Sequence, residues 1–432
     1  MQKLLSPFFA LLVSLWLINL GGGLQGTLLG MRADLEDFDL YATGLILSSY
    51  FLGYMISIFI IPPFINSVGH IRSFAAFASL SSAATLLHAV FIDPSVWFVL
   101  RTITGMCFGG LILVGESWLN ASTSNENRGA VFSVYMVVIL SASALSQILV
   151  NLTPVTSYDL FILVSVALSV SLVPLTLGRR IAAPEIQSNE RMSYRALITT
   201  HPLGCLGILT SGLVNGVLWT MMAVYCVRIG LDTADTSAVM FALMLGGMLS
   251  LWPAGKLSDV IDRRKIILCT SCSTLIVSLI FIIDFEGSAA FMPYLAGALG
   301  LSAFPLYALA SSHINDYLKQ DEFVPACGSM VLLYGLGALI APIASAFFMS
   351  LLGPNGMFVF ISSMSVPLIS LAAYRISQKE ALPSEERSDF VFDMPKVTPS
   401  VSPLDPRNQE AEELSEEVMS EMDDEEKEAL PL

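Results

Sequence analysis

Residues 255–265 read Gly-Lys-Leu-Ser-Asp-Val-Ile-Asp-Arg-Arg-Lys, and this charged segment lies between two apolar runs, 236–255 and 266–284. A run of about 20 apolar residues is long enough to cross a bilayer as a helix. The segment therefore has the composition of a short connection between two membrane-spanning helices, with an acid and several bases at the membrane surface.

The whole chain has the composition of a membrane protein. It contains 432 residues, of which 54% are hydrophobic and 13% are charged, whereas soluble domains carry about 25% charged residues. Residues 377–432 hold 17 acidic and 5 basic residues, whereas residues 1–376 hold 19 and 16. We therefore expect a nearly neutral membrane body followed by an acidic, mostly disordered cytoplasmic tail.

Twelve apolar runs are long enough to span the membrane. They are 7–31, 43–65, 73–92, 96–119, 129–150, 157–177, 203–227, 236–255, 266–284, 288–314, 326–350 and 356–376. Backbone polar groups in lipid must be satisfied within the segment, so runs of this length are expected to be helices. The sequence predicts an all-α, multi-pass membrane protein with twelve transmembrane helices.

Lysine and arginine lie mostly on one side of the predicted membrane. If the N-terminus is cytoplasmic, the cytoplasmic segments hold twelve of these residues and the outside loops hold Arg32 and Arg228. The twelve are Lys3, Arg72, Arg128, Arg179, Arg180, Arg191, Arg195, Lys256, Arg263, Arg264, Lys265 and Lys319. Short cytoplasmic loops carry such an excess. Because the helix count is even, we expect both termini in the cytoplasm.

The two halves of the chain repeat each other weakly. The aligned pairs are Gly53 with Gly246, Gly105 with Gly300, Gly129 with Gly328, and Tyr135 with Tyr334. These pairs occur in the same order in both halves, which indicates a duplicated fold of the kind found in many transporters. We predict an N-terminal bundle over 1–177, a cytoplasmic central loop over 178–202, a C-terminal bundle over 203–376 and the acidic tail over 377–432.

Two motifs resemble those of the major facilitator superfamily. The signature G-x-L-x-D-(R/K)-x-G-(R/K)-(R/K) is matched at Gly255, Leu257, Asp259, Arg263 and Arg264, with departures at Val260 and Asp262. Residues 101–105, Arg-Thr-Ile-Thr-Gly, resemble the R-x-x-x-G motif of helix 4. At residues 116–117 (Glu-Ser), 128–129 (Arg-Gly), 252–259 (Trp-Pro-Ala-Gly-Lys-Leu-Ser-Asp) and 304–305 (Phe-Pro), the chain is most similar to a YcaD-like branch of bacterial members. The resemblance implies two pseudo-symmetric six-helix bundles, alternating access, and a place in the bacterial inner membrane.

The resemblance also implies a cytoplasmic gate. Its candidate residues are Gly255, Asp259, Arg263, Arg264, Arg128 and Arg72. An acid and bases at a tight turn can lock the ends of neighbouring helices, and such a lock can have two arrangements. The alternative is a plain basic loop on the cytoplasmic side.

Arg101, Glu116 and His313 are the candidates for charge or proton coupling. Fifteen residues of helix place Glu116 about 22 Å from Arg101, so the two side chains cannot touch. For Arg101 the alternatives are proton coupling, helix packing, and snorkelling of the side chain to the outer interface. Candidate partners of Glu116 are Arg128, Arg72 and His70, and the alternatives are a gate or proton site and an interfacial packing pair with Arg128. His313 either titrates or is a structural group at a helix end.

Helices 1, 4, 7 and 10 line the central cavity in this superfamily, which implies candidate cavity residues here. They are Asn19, Gln25, Asn215, Trp219, Tyr225, Tyr294, Tyr307 and Ser311. Amides and aromatic rings with few charges suit a neutral or weakly charged solute of modest size. Each could instead connect helices through hydrogen bonds.

The resulting hypothesis is a secondary active transporter that moves a small organic solute, with proton coupling through Arg101 or Glu116 as one version of it. The alternative is a non-transporting membrane sensor or scaffold that recruits a partner through its acidic tail. We expect no enzyme activity, cofactor or metal, because no metal-ligand cluster or nucleophile–base arrangement occurs at a usable spacing. The expected partners are the lipid bilayer and a small molecule, without nucleic acid, and the chain is expected to be a monomer.

Overall fold

The computed structural model describes residues 8–121, 123, 128–177, 192–283, 289–318 and 322–378. Its twelve candidate membrane helices are α1 (Phe9–Leu35), α2 (Leu40–Val68), α3 (His70–Val90), α4 (Pro94–Ala121), α5 (Arg128–Leu149), α6 (Asp159–Leu177), α7 (Pro202–Arg228), α8 (Thr233–Val260), α9 (Arg263–Ile282), α10 (Met292–Asn315), α11 (Phe323–Leu352) and α12 (Gly356–Gln378). The prediction of twelve spanning helices is confirmed. Most of the predicted central loop and nearly all of the acidic tail lie outside the described residues.

The helices form two bundles that correspond to the two halves of the chain. In the first, α2 packs on α4, α1 on α5, and α3 on α4 and α6. In the second, α8 packs on α10, α7 on α11, and α9 on α12. The pair α2–α4 thus corresponds to α8–α10, and α1–α5 corresponds to α7–α11. The predicted fold class, an all-α membrane protein built from two pseudo-symmetric six-helix bundles, is confirmed.

Glycines explain why α2 can lie against α4. A Cβ atom on Gly53 would collide with the Thr102 carbonyl oxygen, and one on Gly105 would collide with the Tyr50 carbonyl oxygen. The equivalent collisions in the second bundle are Gly246 with the carbonyl of Gly297 and Gly300 with the carbonyl of Leu243. Two of the three glycine pairs aligned from the sequence therefore lie at equivalent helix crossings, where small residues allow two backbones to approach.

The connection between α8 and α9 is shorter than the sequence predicts. The apolar pattern ends α8 at residue 255, but the helix continues to Val260 because polar residues at a membrane surface can remain helical. The Asp262 side chain caps α9 by accepting a hydrogen bond of 3.0 Å from the Arg264 backbone amide. Asp262, a departure from the family motif, therefore satisfies a free N–H group at the start of α9.

Side-chain bonds join the two bundles towards one end of the molecule, where α1 and α7 end and where α2 and α8 begin. They are Arg228 with Asp34 (2.5 Å), Tyr41 with Ser350 (2.9 Å), Asn151 with Ser237 (2.7 Å), and Ser48 with the Leu339 carbonyl. We call this the joined end. Gly44 also lies here, where a Cβ atom would come within 2.9 Å of the Pro342 carbonyl oxygen on the other bundle.

Candidate solute cavity and charge clusters

A cavity lies between the two bundles and is lined from both of them. Its empty space, including the open mouth, measures about 1070 Å³. The first bundle contributes Asn19, Gly22, Gly23, Gly26, Thr27, Tyr50, Phe51, Tyr54, Met55, Ile58, Arg101, Phe108, Ile112 and Ile139; the second contributes Trp219, Thr220, Val331, Tyr334 and Gly335. Aromatic and aliphatic side chains make most of the wall, as in typical small-molecule sites.

Arg101 is at the wall of this cavity and does not extend to the outer interface. Its side chain is held by α1 and α2: Nη1 donates to Gln25 Oε1 at 3.1 Å, and Cζ lies 4.5 Å from the centroid of the Tyr50 ring. Gln25 Nε2 in turn donates to Thr85 Oγ1 at 3.0 Å. Arg101 is 4% exposed. The snorkelling alternative is therefore wrong.

Three of the eight residues predicted to line the cavity lie at its wall or directly behind it. Asn19 and Trp219 line the cavity, one from each bundle. Asn19 Nδ2 donates to the Leu15 carbonyl at 2.8 Å, and the Trp219 ring stacks on Phe304 with ring centroids 5.8 Å apart. Gln25 is buried behind the wall and reaches the cavity through Arg101.

Tyr225 and Tyr294 are not at the cavity, and their prediction is wrong. Tyr225 packs edge-on against Phe358, with ring centroids 4.8 Å apart, near the end of α7. The Tyr294 side chain is 77% exposed, in the first turn of α10. Both residues lie near helix ends, so their membership of α7 and α10 does not bring them to the centre.

Asn215, Tyr307 and Ser311 are buried, but they are not part of the described cavity wall. Tyr307 packs edge-on against Tyr334, with ring centroids 5.4 Å apart, and Tyr334 is the ring that lines the cavity. Asn215 Nδ2 donates to Ser211 Oγ at 3.1 Å. Ser311 Oγ donates to the Ala308 carbonyl at 3.1 Å. Tyr307 and Ser311 were assigned to the wall because α10 was expected to line it, whereas α11 supplies that side; Asn215 was assigned because it lies on α7, which reaches the wall through Trp219 and Thr220 instead.

The sequence reasoning missed the aromatic contribution of α2 and α11. Tyr50 and Tyr54 are one helical turn apart on α2, and Tyr334 is on α11. The i, i+4 spacing of two tyrosines in an apolar helix was an available signal. Tyr334 was used only as a marker of the internal repeat.

Glu116 is fully buried beneath the cavity in the first bundle. Tyr135 Oη on α5 donates to Glu116 Oε1 at 2.7 Å, and Tyr54 on α2 is close enough to interact electrostatically with the carboxyl group. Arg101 and Glu116 therefore have different partners, as their spacing predicts. Glu116 lies one helical turn after Ile112, which lines the cavity.

The predicted partners of Glu116 are placed elsewhere or are not described. His70 Nε2 lies 3.0 Å from Ser117 Oγ and its ring packs on Trp118, so it contacts the residues that follow Glu116. Arg72 is exposed. The side chain of Arg128 lies outside the described residues. The described hydrogen bond of Glu116 is instead made by Tyr135.

Arg263 connects three helices of the second bundle. Nη1 donates to Asp316 Oδ1 and to the Ser312 carbonyl, both at 2.7 Å, and Nη2 lies 3.4 Å from Asp259 Oδ1. The Asp316 side chain is 3% exposed, so this ion pair is shielded from water. The predicted pair of Asp259 and Arg263 is therefore accompanied by Asp316, just past the end of α10, which the sequence reasoning did not select.

Arg264 and His313 lie in the same region. Arg264 Nη2 is 2.7 Å from Asp262 Oδ2, and Arg264 Nη1 donates to the Arg375 carbonyl on α12 at 3.3 Å. The His313 ring packs edge-on against Tyr317, with ring centroids 5.4 Å apart. Gly255 is buried in the last turns of α8. We call Arg263, Arg264 and their carboxylate partners the α9 clamp, since it holds α8, α10 and α12 around the start of α9.

The described residues contain no group of three or more His, Cys, Asp or Glu side chains positioned to hold a metal ion. The ionisable groups that do cluster are ion pairs and hydrogen-bonded carboxyl groups. Ion pairs of this kind can exchange one partner for another, and a buried carboxyl group can hold a proton. The cavity is suited to reversible binding of a small molecule.

A cavity at the interface of two repeated helix bundles, with cross-bundle bonds towards one end, defines a membrane transporter that works by exposing its site to alternate sides. The Major Facilitator Superfamily family model matches residues 11–251 and 204–403. The chain belongs to the Major Facilitator Superfamily, and it is a multi-pass secondary transporter.

Individual relatives agree with this assignment. The "uncharacterized MFS-type transporter YcaD" of Escherichia fergusonii is 26% identical over 366 residues, which cover 83% of this chain and 93% of the relative. The YcaD protein of Salmonella typhi is 25% identical over 374 residues, covering 86% of this chain and 96% of the relative. The predicted resemblance to YcaD-like proteins is confirmed.

Solved structures share the fold at much lower identity. The nucleoside transporter NupG superposes with a TM-score of 0.69 at 13% identity, covering 86% of this chain and 99% of that chain. A D-xylose–proton symporter superposes with a TM-score of 0.67 at 13% identity, covering 88% and 100%.

Proposed function

We propose that this transporter carries a small organic solute through the central cavity, in a bacterial inner membrane, with both termini in the cytoplasm. The observation that carries the proposal is the cavity wall, which α1, α2, α4 and α5 supply from one bundle and α7 and α11 from the other. A solute bound there contacts both bundles and can favour one relative position over another. The orientation is supported by the twelve-to-two excess of basic residues in the cytoplasmic segments.

In this orientation the joined end faces the outside, and the proposal is that the solute reaches the cavity from the cytoplasm in this arrangement of the bundles. Among the described residues, the side-chain bonds that join it are few. The ion pair of Asp34 with Arg228 is partly exposed, and pairs at a solvent-exposed surface contribute about 0–1 kcal/mol. Small terms of this kind let the outer end open and close during a transport cycle.

The α9 clamp serves as the cytoplasmic gate in this proposal. It fixes the inner ends of α8, α9, α10 and α12 relative to one another, so the second bundle moves as a unit. Asp259 is the partner with most access to solvent, with 39% of its side chain exposed. Asp259 is therefore the carboxylate that can exchange between Arg263 and a group on the first bundle. Arg72 is the candidate gate residue on the opposite bundle whose side chain is exposed.

Glu116 is the proton-binding group in this proposal. A carboxyl group buried in a membrane helix is costly when charged, so it is neutralised, paired or hydrogen-bonded. Tyr135 from α5 donates to it, while His70 from α3 contacts the neighbouring Ser117. Ile112, one helical turn before Glu116 on α4, lines the cavity, so in this proposal protonation of Glu116 is coupled to the cavity wall.

A two-stage experiment tests transport. Purified protein is screened against metabolite and drug libraries by thermal shift, since a bound ligand stabilises the folded state by mass action. The ligand that raises the melting temperature is then added to proteoliposomes that contain a trapped pH dye. Uptake of the ligand together with a change of internal pH supports proton-coupled transport. Binding without movement of the ligand in either direction contradicts the proposal.

Two further features are part of the proposal. The transporter acts as a monomer in this proposal, which is supported by the position of the described cavity wall between the two bundles of one chain. The acidic tail solubilises the cytoplasmic face or docks a cytoplasmic partner. Removing residues 383–432 separates these roles: transport kept and a partner lost supports docking, whereas transport and partners both kept supports the solubilising role.

A further inference from the structure

The central cavity has one formally charged side chain in the described part of its wall. Arg101 is that residue, and the rest of the wall consists of aromatic, aliphatic, small and uncharged polar groups. A guanidinium group remains protonated under all ordinary conditions. The cavity therefore has a fixed positive charge in a largely apolar environment.

The partners of Arg101 orient its charge without neutralising it. Gln25 supplies an amide oxygen at 3.1 Å, and Tyr50 supplies the face of its ring at 4.5 Å. Both are uncharged, and Nε of Arg101 is buried without a hydrogen-bond partner. An isolated buried charge is costly, so this arrangement leaves Arg101 able to gain from an anion that enters the cavity.

Space for such an anion exists beside Arg101. A Cβ atom built on Gly26 would lie 3.8 Å from Arg101 Nη2, its one neighbour within 4 Å, so the cavity-lining glycine face of α1 leaves space beside this nitrogen. Carboxylates accept two parallel hydrogen bonds from a guanidinium group, which is the strongest common pairing for it. A dianion such as a phosphate monoester would place a second negative charge where no second cation is described.

The aromatic residues in the rest of the wall favour a ligand whose carboxylate is attached to a flat apolar group. Trp219, stacked on Phe304, presents an indole ring from the second bundle, and Tyr334 presents a second ring from α11. We propose that the solute is an organic monocarboxylate with an aromatic or other apolar body, its carboxylate on Arg101 and its body against Trp219 and Tyr334. This assignment rests on the proposed function, because it names the solute class of the same cavity.

The test uses purified full-length protein and matched probes. Thermal shift and calorimetric titration are measured with indole-3-acetate and phenylacetate, each paired with its uncharged carboxamide, and with phenyl phosphate and phenethylamine. The carboxylates should bind at least about tenfold more tightly than their amides, equivalent to about 1.4 kcal/mol. The proposal is overturned if neither carboxylate binds, if the amides bind equally well, or if the phosphate or the amine binds more tightly than the carboxylates.

Gln25→Glu is the decisive variant because it leaves Arg101 in place. The new carboxylate has nearly the shape of the amide, still accepts from Arg101, and neutralises its charge within the wall. Carboxylate affinity should fall at least about tenfold, as it should for Arg101→Gln. Gln378→Glu, which makes the same exchange at the exposed last residue of α12, should leave affinity unchanged. If Gln25→Glu and Arg101→Gln both fold, by their melting curves, and both bind carboxylates as the parent does, the assignment fails.

The transporter proposal is tested separately by distances between the two bundles, which need no ligand identity. If those distances change while no carboxylate binds, transport by alternating access stands and the carboxylate assignment is wrong. If carboxylates bind but the bundles never move, the assignment of the cavity stands and the proposed function fails.

Discussion

Arg101 and Glu116 lie on the same helix and have separate surroundings. Their spacing of fifteen residues, read from the sequence, was enough to exclude a direct pair. Their actual partners were not predictable, because Gln25 and Tyr135 lie on other helices and are brought close only by packing. The spacing of two residues along one helix shows that their side chains cannot touch. The contacts that each side chain does make depend on how the neighbouring helices pack.

Glu116→Gln is the first prediction, at the scale of one residue. The amide keeps the size of the side chain and can still accept from Tyr135, but it cannot bind or release a proton. We expect ligand binding to be kept and the dependence of transport on a pH gradient to be lost, measured in proteoliposomes with a trapped pH dye.

Tyr135→Phe is the matched control for Glu116→Gln. It removes the 2.7 Å hydrogen bond to the carboxyl group while leaving the carboxyl group itself. The dependence of transport on pH should shift along the pH axis without disappearing. An unchanged response to the pH gradient in Glu116→Gln would assign proton coupling to another group.

At the scale of helices, glycine spacing was the most informative part of the sequence. Gly53 and Gly105, and their equivalents Gly246 and Gly300, were aligned before any contact was known, and all four lie at backbone crossings. The helix α10 was less predictable. Its residues were assigned to the cavity by resemblance, but Tyr334 of α11 occupies the wall in front of Tyr307.

Substitution at these crossings should separate the helices. Gly53→Val places a side chain against the Thr102 carbonyl, and Gly246→Val does the same against Gly297 in the second bundle. Each should cost about 1–3 kcal/mol or more of folding stability and lower the melting temperature of the purified protein. Gly26→Ala is the control: its Cβ atom would lie 3.8 Å from Arg101 Nη2, an ordinary contact distance, so the variant should keep the parent melting temperature. Equal melting temperatures in all three variants would contradict this account of the crossings.

The α9 clamp provides another prediction for these elements. Arg263→Ala leaves the buried Asp316 carboxylate without its guanidinium partner, which should cost about 3–5 kcal/mol. Arg263→Ala combined with Asp316→Asn should recover part of that loss, because the remaining group is uncharged. Melting curves of the two single variants and the double variant measure the coupling, and strictly additive effects would show that the pair is not energetically connected.

At the scale of the whole molecule, the sequence was sufficient for the twelve helices, the two bundles and the family. These depend on long apolar runs and on motifs that recur, both of which are local features. The joined end was not predictable. It depends on contacts such as Tyr41 with Ser350, which are 309 residues apart in the sequence.

Gly44→Val should favour the opposite arrangement. The valine would extend from α2 into the Pro342 carbonyl on α11, so the joined end could not close fully while each bundle remained intact. We expect a larger population with the joined end open, measured as faster labelling of a cysteine introduced at Asn19 by a reagent added from outside. Slower or unchanged labelling would contradict the proposed orientation of the closed end.

The most direct test is a pair of distances measured by pulsed electron paramagnetic resonance in a background without the native cysteines. One spin-label pair, at Leu35 and Leu352, reports the joined end, and another, at Ser67 and Val260, reports the opposite end; all four side chains are exposed. Alternating access predicts two populations for each pair, and it predicts that Gly44→Val lengthens the first distance while it shortens the second. A single unchanged distance for both pairs, or two distances that lengthen together, would contradict it.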